Sequence, residues 1–160
     1  MLSIKFICVG KMKEAFFTDA VSEYQKRLTG YCRLTIEEIP ETRLPVNPSD
    51  AEIQAALSKE ADGIEMRIPR GALIIAMCIE GKALDSLQLA RFMQLCATQG
   101  KNRLCFIIGG SLGLHDRVKK AAKISLSMSK MTFPHHLARV MLLEQIYRGF
   151  KISEGSKYHK

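Results

Sequence analysis

Apolar and polar residues along the chain switch between two periods. Leu2–Val9 is rich in Ile, Phe and Val, alternates weakly and stops at Gly10, which predicts a buried strand. Lys13–Leu28 places Phe16, Phe17, Ala20, Val21, Tyr24 and Leu28 at helical spacing, so a helix closed at Gly30 is expected. Leu34–Ile39 reads as a second strand ended by Pro40, and Glu41–Pro48, with two more prolines, as a loop. Ser49-Asp50-Ala51-Glu52 has capping-box spacing and opens a helix to about Met66. Pro69-Arg70-Gly71 is a turn, and Gly71–Ile79 is nearly all apolar, as a strand inside a parallel sheet should be. Glu80-Gly81-Lys82 is expected to turn. Asp85 or Ser86 then caps a helix to Gln99, with Gly100 just past its end. Leu104–Ile108 is a fourth strand, Asp116–Lys123 a short basic helix, and Ile124–Met128 a last short strand. Ser129–Phe133 is a loop. Pro134 suits the first position of a helix that continues to about Lys151, and Ser153–Lys160 is a polar tail.

Strand and helix alternate with no repeat and no low-complexity linker. The pattern predicts an α/β fold: one domain over residues 1–160, with a mostly parallel sheet flanked by helices. Ligands in such sheets bind beyond the carboxyl ends of the strands. The loops after Ile79, Ile108 and Met128 are therefore the candidate site. The last helix carries Leu137, Val140, Met141, Leu142, Leu143, Ile146, Tyr147 and Phe150, which nearly surround its axis. Such a helix is covered on most sides, by core or by a second subunit. The short chain favours the second subunit.

Composition narrows the class. The 160 residues are 47% hydrophobic and 25% charged, which are ordinary globular values and exclude disordered, collagen-like and coiled-coil classes. The longest clean apolar run, Leu73–Ile79, is far short of the ~20 residues that span a bilayer, and Met1–Lys5 shows no leader pattern. Cys8, Cys32, Cys78, Cys96 and Cys105 are scattered and never in a C-x-x-C pattern. Free thiols in a reducing cytoplasm are expected, with no metal site.

Four segments could carry chemistry. Gly109-Gly110-Ser111-Leu112-Gly113 follows a buried strand at once, so the backbone can turn tightly and approach a ligand. It has neither G-x-G-x-x-G spacing nor the Lys-Ser/Thr of a P-loop, which disfavours a nucleotide-dependent oxidoreductase or an NTPase. Ser127–His135 is a polar connection in which Met131 and Phe133 are unexpectedly apolar. His135 and His136 are adjacent and cannot share one metal as an i, i+4 pair would. Among Arg139, Arg148, Lys151, Lys157 and Lys160, Arg148 falls between apolar residues. It needs a phosphate or an ion pair with Glu144, four residues earlier.

These residues together resemble a known family. The strand–glycine turn ending in Leu114-His115, then Ser127–His135, Arg139-Val140, Glu144–Arg148 and the terminal Tyr158-His159-Lys160, are similar to the ribosomal RNA large-subunit methyltransferase H family. That family belongs to the SPOUT class of RNA methyltransferases that use S-adenosyl-L-methionine (AdoMet). The resemblance runs from the first strand and Val9-Gly10-Lys11 to the last residue, with one departure: Met77 stands where Leu is frequent, a volume-similar exchange.

The resemblance implies a C-terminal trefoil knot, a homodimer with the final helix in its interface, and no metal. It also implies methylation of N3 of a pseudouridine in large-subunit (23S) rRNA of the assembled ribosome. It places AdoMet against Met77, Gly109, Met128, Ser129, Lys130, Met131, Thr132 and Phe133. Arg148, Tyr158 and His159 match the RNA-facing and catalytic positions. In that scheme His159 is the first choice as general base, since imidazole titrates near neutrality. Arg148 would hold phosphate or a base oxygen, and Tyr158 would stack on the target nucleotide. The competing readings are a SPOUT enzyme acting on another RNA such as tRNA, and a non-catalytic basic RNA-binding domain.

Charge is uneven along the chain. Residues 1–100 hold 12 Lys plus Arg and 13 Asp plus Glu, whereas residues 101–160 hold 12 and 3. The chain's net +8 therefore lies entirely in its C-terminal part, which is where a polyanion such as RNA is expected to meet it.

Overall fold

The computed structural model describes residues 1–160. Five strands, β1 (Leu2–Val9), β2 (Cys32–Ile39), β3 (Leu73–Ala83), β4 (Arg103–Ile108) and β5 (Ile124–Ser127), form one sheet in the order β2-β1-β4-β3-β5. Every neighbouring pair is parallel. Five helices connect or follow them: α1 (Ala15–Leu28), α2 (Asp50–Glu65), α3 (Ser86–Thr98), α4 (Asp116–Ala121) and α5 (His135–Ser153).

The side-chain alternation of the strands feeds two cores. Leu2, Ile4, Phe6 and Cys8 of β1 join Leu104, Phe106 and Ile108 of β4 beneath α1, α3 and α5. Ile7, Val9, Cys105 and Ile107 face the other way, against Ala61 and Ile64 of α2 and Val118 of α4. The middle strands are thus apolar on both faces, and helices cover both sides of the sheet. Phe6 and Phe106 pack with ring centroids 5.6 Å apart at its centre.

Local signals place most boundaries. Ser49 caps α2 through a capping box with Glu52, and Asp85 caps α3 through one with Gln88. Gly100 follows α3 with φ +74°, as expected of a helix stop. Two expectations are corrected. Glu80-Gly81-Lys82 is not a turn: β3 continues to Ala83, because it pairs with β5 a second time after a register shift. Leu126 is opposite both Met77 and Lys82, so Cys78–Gly81 arches past β5. Pro134 is the N-cap of α5, not its first residue. In the polar tail, α5 reaches Ser153, and Gly155, at φ +74°, redirects the chain. Gly155 N–H donates to the Ile152 carbonyl and Ser156 N–H to the Lys151 carbonyl, the paired bonds of a Schellman turn.

The core explanation accounts for much of α5. Leu142, Leu143 and Ile146 are fully buried against this chain's own core, while Val140, Met141 and Tyr147 remain half-exposed. No helix is long and apolar enough to cross a membrane.

Candidate active site

The carboxyl ends of β3, β4 and β5 open into a cavity of about 700 Å³, within the range that holds a small ligand. Met77, Gly109, Met128, Ser129, Met131, Thr132 and Phe133 line it, whereas Lys130 does not. Parallel strands bring these distant segments to one edge, since each loop at that edge follows a strand end.

Its floor demands glycine. A Cβ on Gly109 would stand 2.4 Å from the Gly113 carbonyl oxygen and 2.6 Å from its carbon, so the turn folds back on a position that has no room for a side chain. Gly110 and Gly113 form an isolated antiparallel bridge that closes this turn. The opposite wall is ordered by its own hydroxyls. Ser127 Oγ donates to the Ser129 carbonyl at 2.9 Å, and Ser129 Oγ accepts from Met131 N–H at 3.0 Å. Met131 is 73% exposed, an apolar side chain at the rim with nothing of its own chain over it.

Several lining residues are absent from the sequence reading. Cys78, Ile79 and Glu80 line the cavity because β3 bends there, and Lys119 of α4 pairs with Glu80 in the wall. That hydrogen bond raises the lysine's pKa above its ordinary value. His135 also lines the cavity; burial, with the His136 and Arg139 charges, pushes its pKa below the ordinary value despite Glu41. Arg139 proves to be a buried structural cation, 2% exposed. It pairs with Glu38 and donates to the Gly10 carbonyl at 3.1 Å, fastening α5 to the ends of β1 and β2. His115 caps α4 by accepting from Arg117 N–H at 3.1 Å.

Arg148, Tyr158 and His159 come together, but not in this cavity. Arg148 donates to Glu144 at 2.7 Å, and Tyr158 hydroxyl donates to the same carboxylate at 3.1 Å. Arg148 also lies 4.8 Å from the Tyr158 ring centroid and 3.3 Å from His159 Nδ1. Tyr158 packs edge-on against Tyr147 at 5.1 Å. Burial and the bond to Glu144 raise the Tyr158 pKa, so the hydroxyl stays protonated. The Glu144 pairing weighed for Arg148 from sequence is thus the one the chain makes.

A second groove of about 620 Å³ runs beside this cluster, lined by Tyr24, Leu84, Val140, Met141 and Glu144 and sharing Leu126, Ser127 and Met128 with the cavity. Glu144 of the tail cluster thus lines a groove that shares three residues with the cavity. No group of three or more His, Cys, Asp or Glu residues could hold a metal. All five cysteines are free, and burial pushes the Cys8 thiol up to about 12.

A doubly covered parallel sheet with a glycine-floored cavity at its carboxyl edge is the setting of a small-molecule-dependent enzyme. The chain belongs to the SPOUT methyltransferase family: a profile described as "Predicted SPOUT methyltransferase" matches residues 2–159. Full-length relatives are named "Ribosomal RNA large subunit methyltransferase H". One from Clostridium botulinum (strain Alaska E43 / Type E3) is 46% identical over 99% of this chain and 100% of its own length. One from Streptococcus equi subsp. zooepidemicus (strain MGCS10565) is 43% identical over the same shares. A solved "probable methylase family protein" from Haemophilus influenzae Rd KW20 shares the fold at TM-score 0.55 and 14% identity, covering all of this chain and 72% of its own.

Proposed function

We propose that this enzyme transfers a methyl group from AdoMet to N3 of a pseudouridine in large-subunit rRNA, on the assembled ribosome, as a cytoplasmic homodimer. The observation that carries the reading is the gathering of Met77, Gly109, Met128, Ser129, Met131, Thr132 and Phe133 around one cavity. The names of the full-length relatives support rRNA as the substrate class.

The cavity fits the donor in size and chemistry. Gly109 lets the turn that lines the cavity fold tightly on the Gly113 backbone, and Met77, Ile108 and Leu126 offer apolar contact to an adenine ring. AdoMet supplies an activated methyl on sulfur, and S-adenosylhomocysteine leaves when the nitrogen attacks. The protein's tasks are to align the two and to take the proton that N3 loses. His159 is the candidate base and Tyr158 the candidate stacking surface. Arg148, once exchanged from Glu144 to the RNA, is the candidate holder of phosphate or a base oxygen.

Two observations support a dimer. The cation and histidine of the tail do not line their own chain's cavity. The groove beside α5 presents Val140 and Met141 half-exposed next to the cavity's Met128. A partner chain seated there would bring one tail to the other cavity.

The test is mass spectrometry of rRNA nucleosides from cells with and without the protein, repeated in vitro with AdoMet and intact ribosomes. Loss and restoration of N3-methylpseudouridine is the expected result. An unchanged level, or methylation of free tRNA instead, overturns the substrate assignment. A monomer by light scattering at working concentration overturns the dimer.

A further inference from the structure

Glu41 stands two residues beyond β2, on a loop at the same edge of the sheet as the cavity. Its carboxylate reaches the glycine turn after β4. Oε1 accepts from Ser111 N–H at 2.9 Å and from Ser111 Oγ–H at 2.6 Å. A Cβ on Gly110 would stand 2.6 Å from that oxygen and 3.1 Å from Val9 Cγ1, so the missing side chain at Gly110 is what admits the carboxylate. Oε2 lies 4.0 Å from Nε2 of His135, the first residue of α5. Gly110, Ser111 and His135 all line the cavity. One side chain from outside the C-terminal part therefore touches two flanks of the site. Burial works against its ionisation, but the Ser111 bonds and the neighbouring histidines hold its pKa below the ordinary carboxylate range.

We propose that Glu41 is a positioning residue of the methyl-donor site, fixing the Gly109–Gly113 turn against the start of α5 before AdoMet arrives. The proposal rests on the cavity being the AdoMet site. A turn with three glycines has much conformational freedom to lose. A ligand that must order it binds more weakly than one that meets it already ordered. Glu41 touches neither the methyl group nor the RNA in this scheme, so its removal acts on AdoMet affinity and on KM for AdoMet, not on kcat.

The test is AdoMet titration by calorimetry, with methylation kinetics on intact ribosomes and thermal melting of each variant. Glu41→Ala should weaken AdoMet binding about tenfold, the loss expected for hydrogen bonds to a charged group, and leave kcat at saturating AdoMet within about twofold. Glu41→Gln keeps an acceptor for Ser111 and should recover most of the affinity. Gly110→Ala, which evicts the carboxylate from the opposite side, should weaken binding similarly. The double variant should be little worse than either single one. Unchanged AdoMet affinity in Glu41→Ala overturns the positioning role, as does failure of Glu41→Gln to rescue while remaining folded. A wild-type protein that binds no AdoMet overturns the site reading itself, and the Glu41 role falls with it.

Discussion

The Arg148 guanidinium meets His159 Nδ1 at 3.3 Å, joining the middle of α5 to the penultimate residue of the chain. An arginine N–H can only donate, so Nδ1 is the acceptor in this contact. The tail is thus held by Arg148, Glu144 and Tyr147 in the absence of RNA, in a state where Nδ1 is already engaged. Deleting Tyr158–Lys160 should therefore leave AdoMet affinity within about twofold, since no tail residue lines the cavity. It should abolish methylation of ribosomes. Calorimetry and a tritiated-methyl assay on the same preparation check this; a truncated enzyme of full activity removes the tail from catalysis.

Arg148→Ala should lower kcat by about a hundredfold, the scale for losing one preorganised charged donor. AdoMet affinity should change far less, because the guanidinium faces Glu144, Tyr158 and His159 instead of the cavity. Equal losses in both would mean that Arg148 only holds α5 and the tail together.

Gly109→Ala should weaken AdoMet binding at least tenfold (about 1.4 kcal/mol). The new methyl would fall on the Gly113 backbone, which cannot yield as a flexible side chain would. The turn that lines the cavity would have to shift. Melting should also fall, with an overpacking cost of about 1–3 kcal/mol. Unchanged AdoMet titration would show that the turn is not part of the donor site.

Stability should fall on acidification through the Glu38–Arg139 pair. Burial raises the Glu38 pKa, but the bond from Arg139 and the Met12 N–H outweigh it and set the folded value below the ordinary 4.5. The unfolded chain therefore binds the proton more tightly. The stabilisation is complete above about pH 4.5 and is lost as pH falls through the lower folded value. Protonation would leave a cation that is 2% exposed without its carboxylate. Glu38→Gln should cost about 3 kcal/mol at neutral pH and flatten the acid limb of a melting-temperature profile. A variant with the wild-type profile would show that another carboxylate governs acid unfolding.

Salt dependence should separate the cations that are free to meet RNA from those already paired. The positive excess of residues 101–160 is partly cancelled in space: Arg117 pairs with Asp62 and Glu65, Lys119 with Glu80, and Arg139 with Glu38. Lys120, Lys123, Lys157 and Lys160 have no carboxylate partner within 4.0 Å. Replacing Lys157 by Ala should reduce the slope of log affinity against log salt for an rRNA fragment by about 0.7–0.9, one phosphate contact. Arg117→Ala should leave the slope unchanged. The opposite pattern would place the RNA on the α4 face.

The order of strands and helices, the capping box at Ser49, a cap at Asp85 or Ser86, and the stop at Gly100 were legible from spacing, because each rests on contacts within a few residues. The segments around the cavity were legible too, since loops after parallel strands converge at one edge. The bend of β3 was not. Glu80-Gly81-Lys82 looks like a turn until β5 pairs with β3 on both sides of Cys78–Gly81. Glu41 was hidden in a proline-bounded loop, and only a contact 70 residues along the chain to Ser111 discloses its place. Gly155 carried a local sign of the tail's return that its polar surroundings masked.

By itself, the sequence determined the alternating α/β class, the free thiols, the resemblance to a methyltransferase family and most of the segments that meet at the cavity. Periodicity and short motifs are local, and a short parallel-strand chain offers few ways to arrange them. Only the tertiary structure decided how the charge is spent. The first hundred residues neutralise Arg117, Lys119 and Arg139 through long-range pairs, and Glu144 holds Arg148 with the tail. Spacing along one helix could suggest the Glu144–Arg148 pair, but the other pairs depend on distance in space between segments far apart in the chain. The basic C-terminal part therefore resolves into buried clamps, a tethered catalytic candidate and a few free lysines.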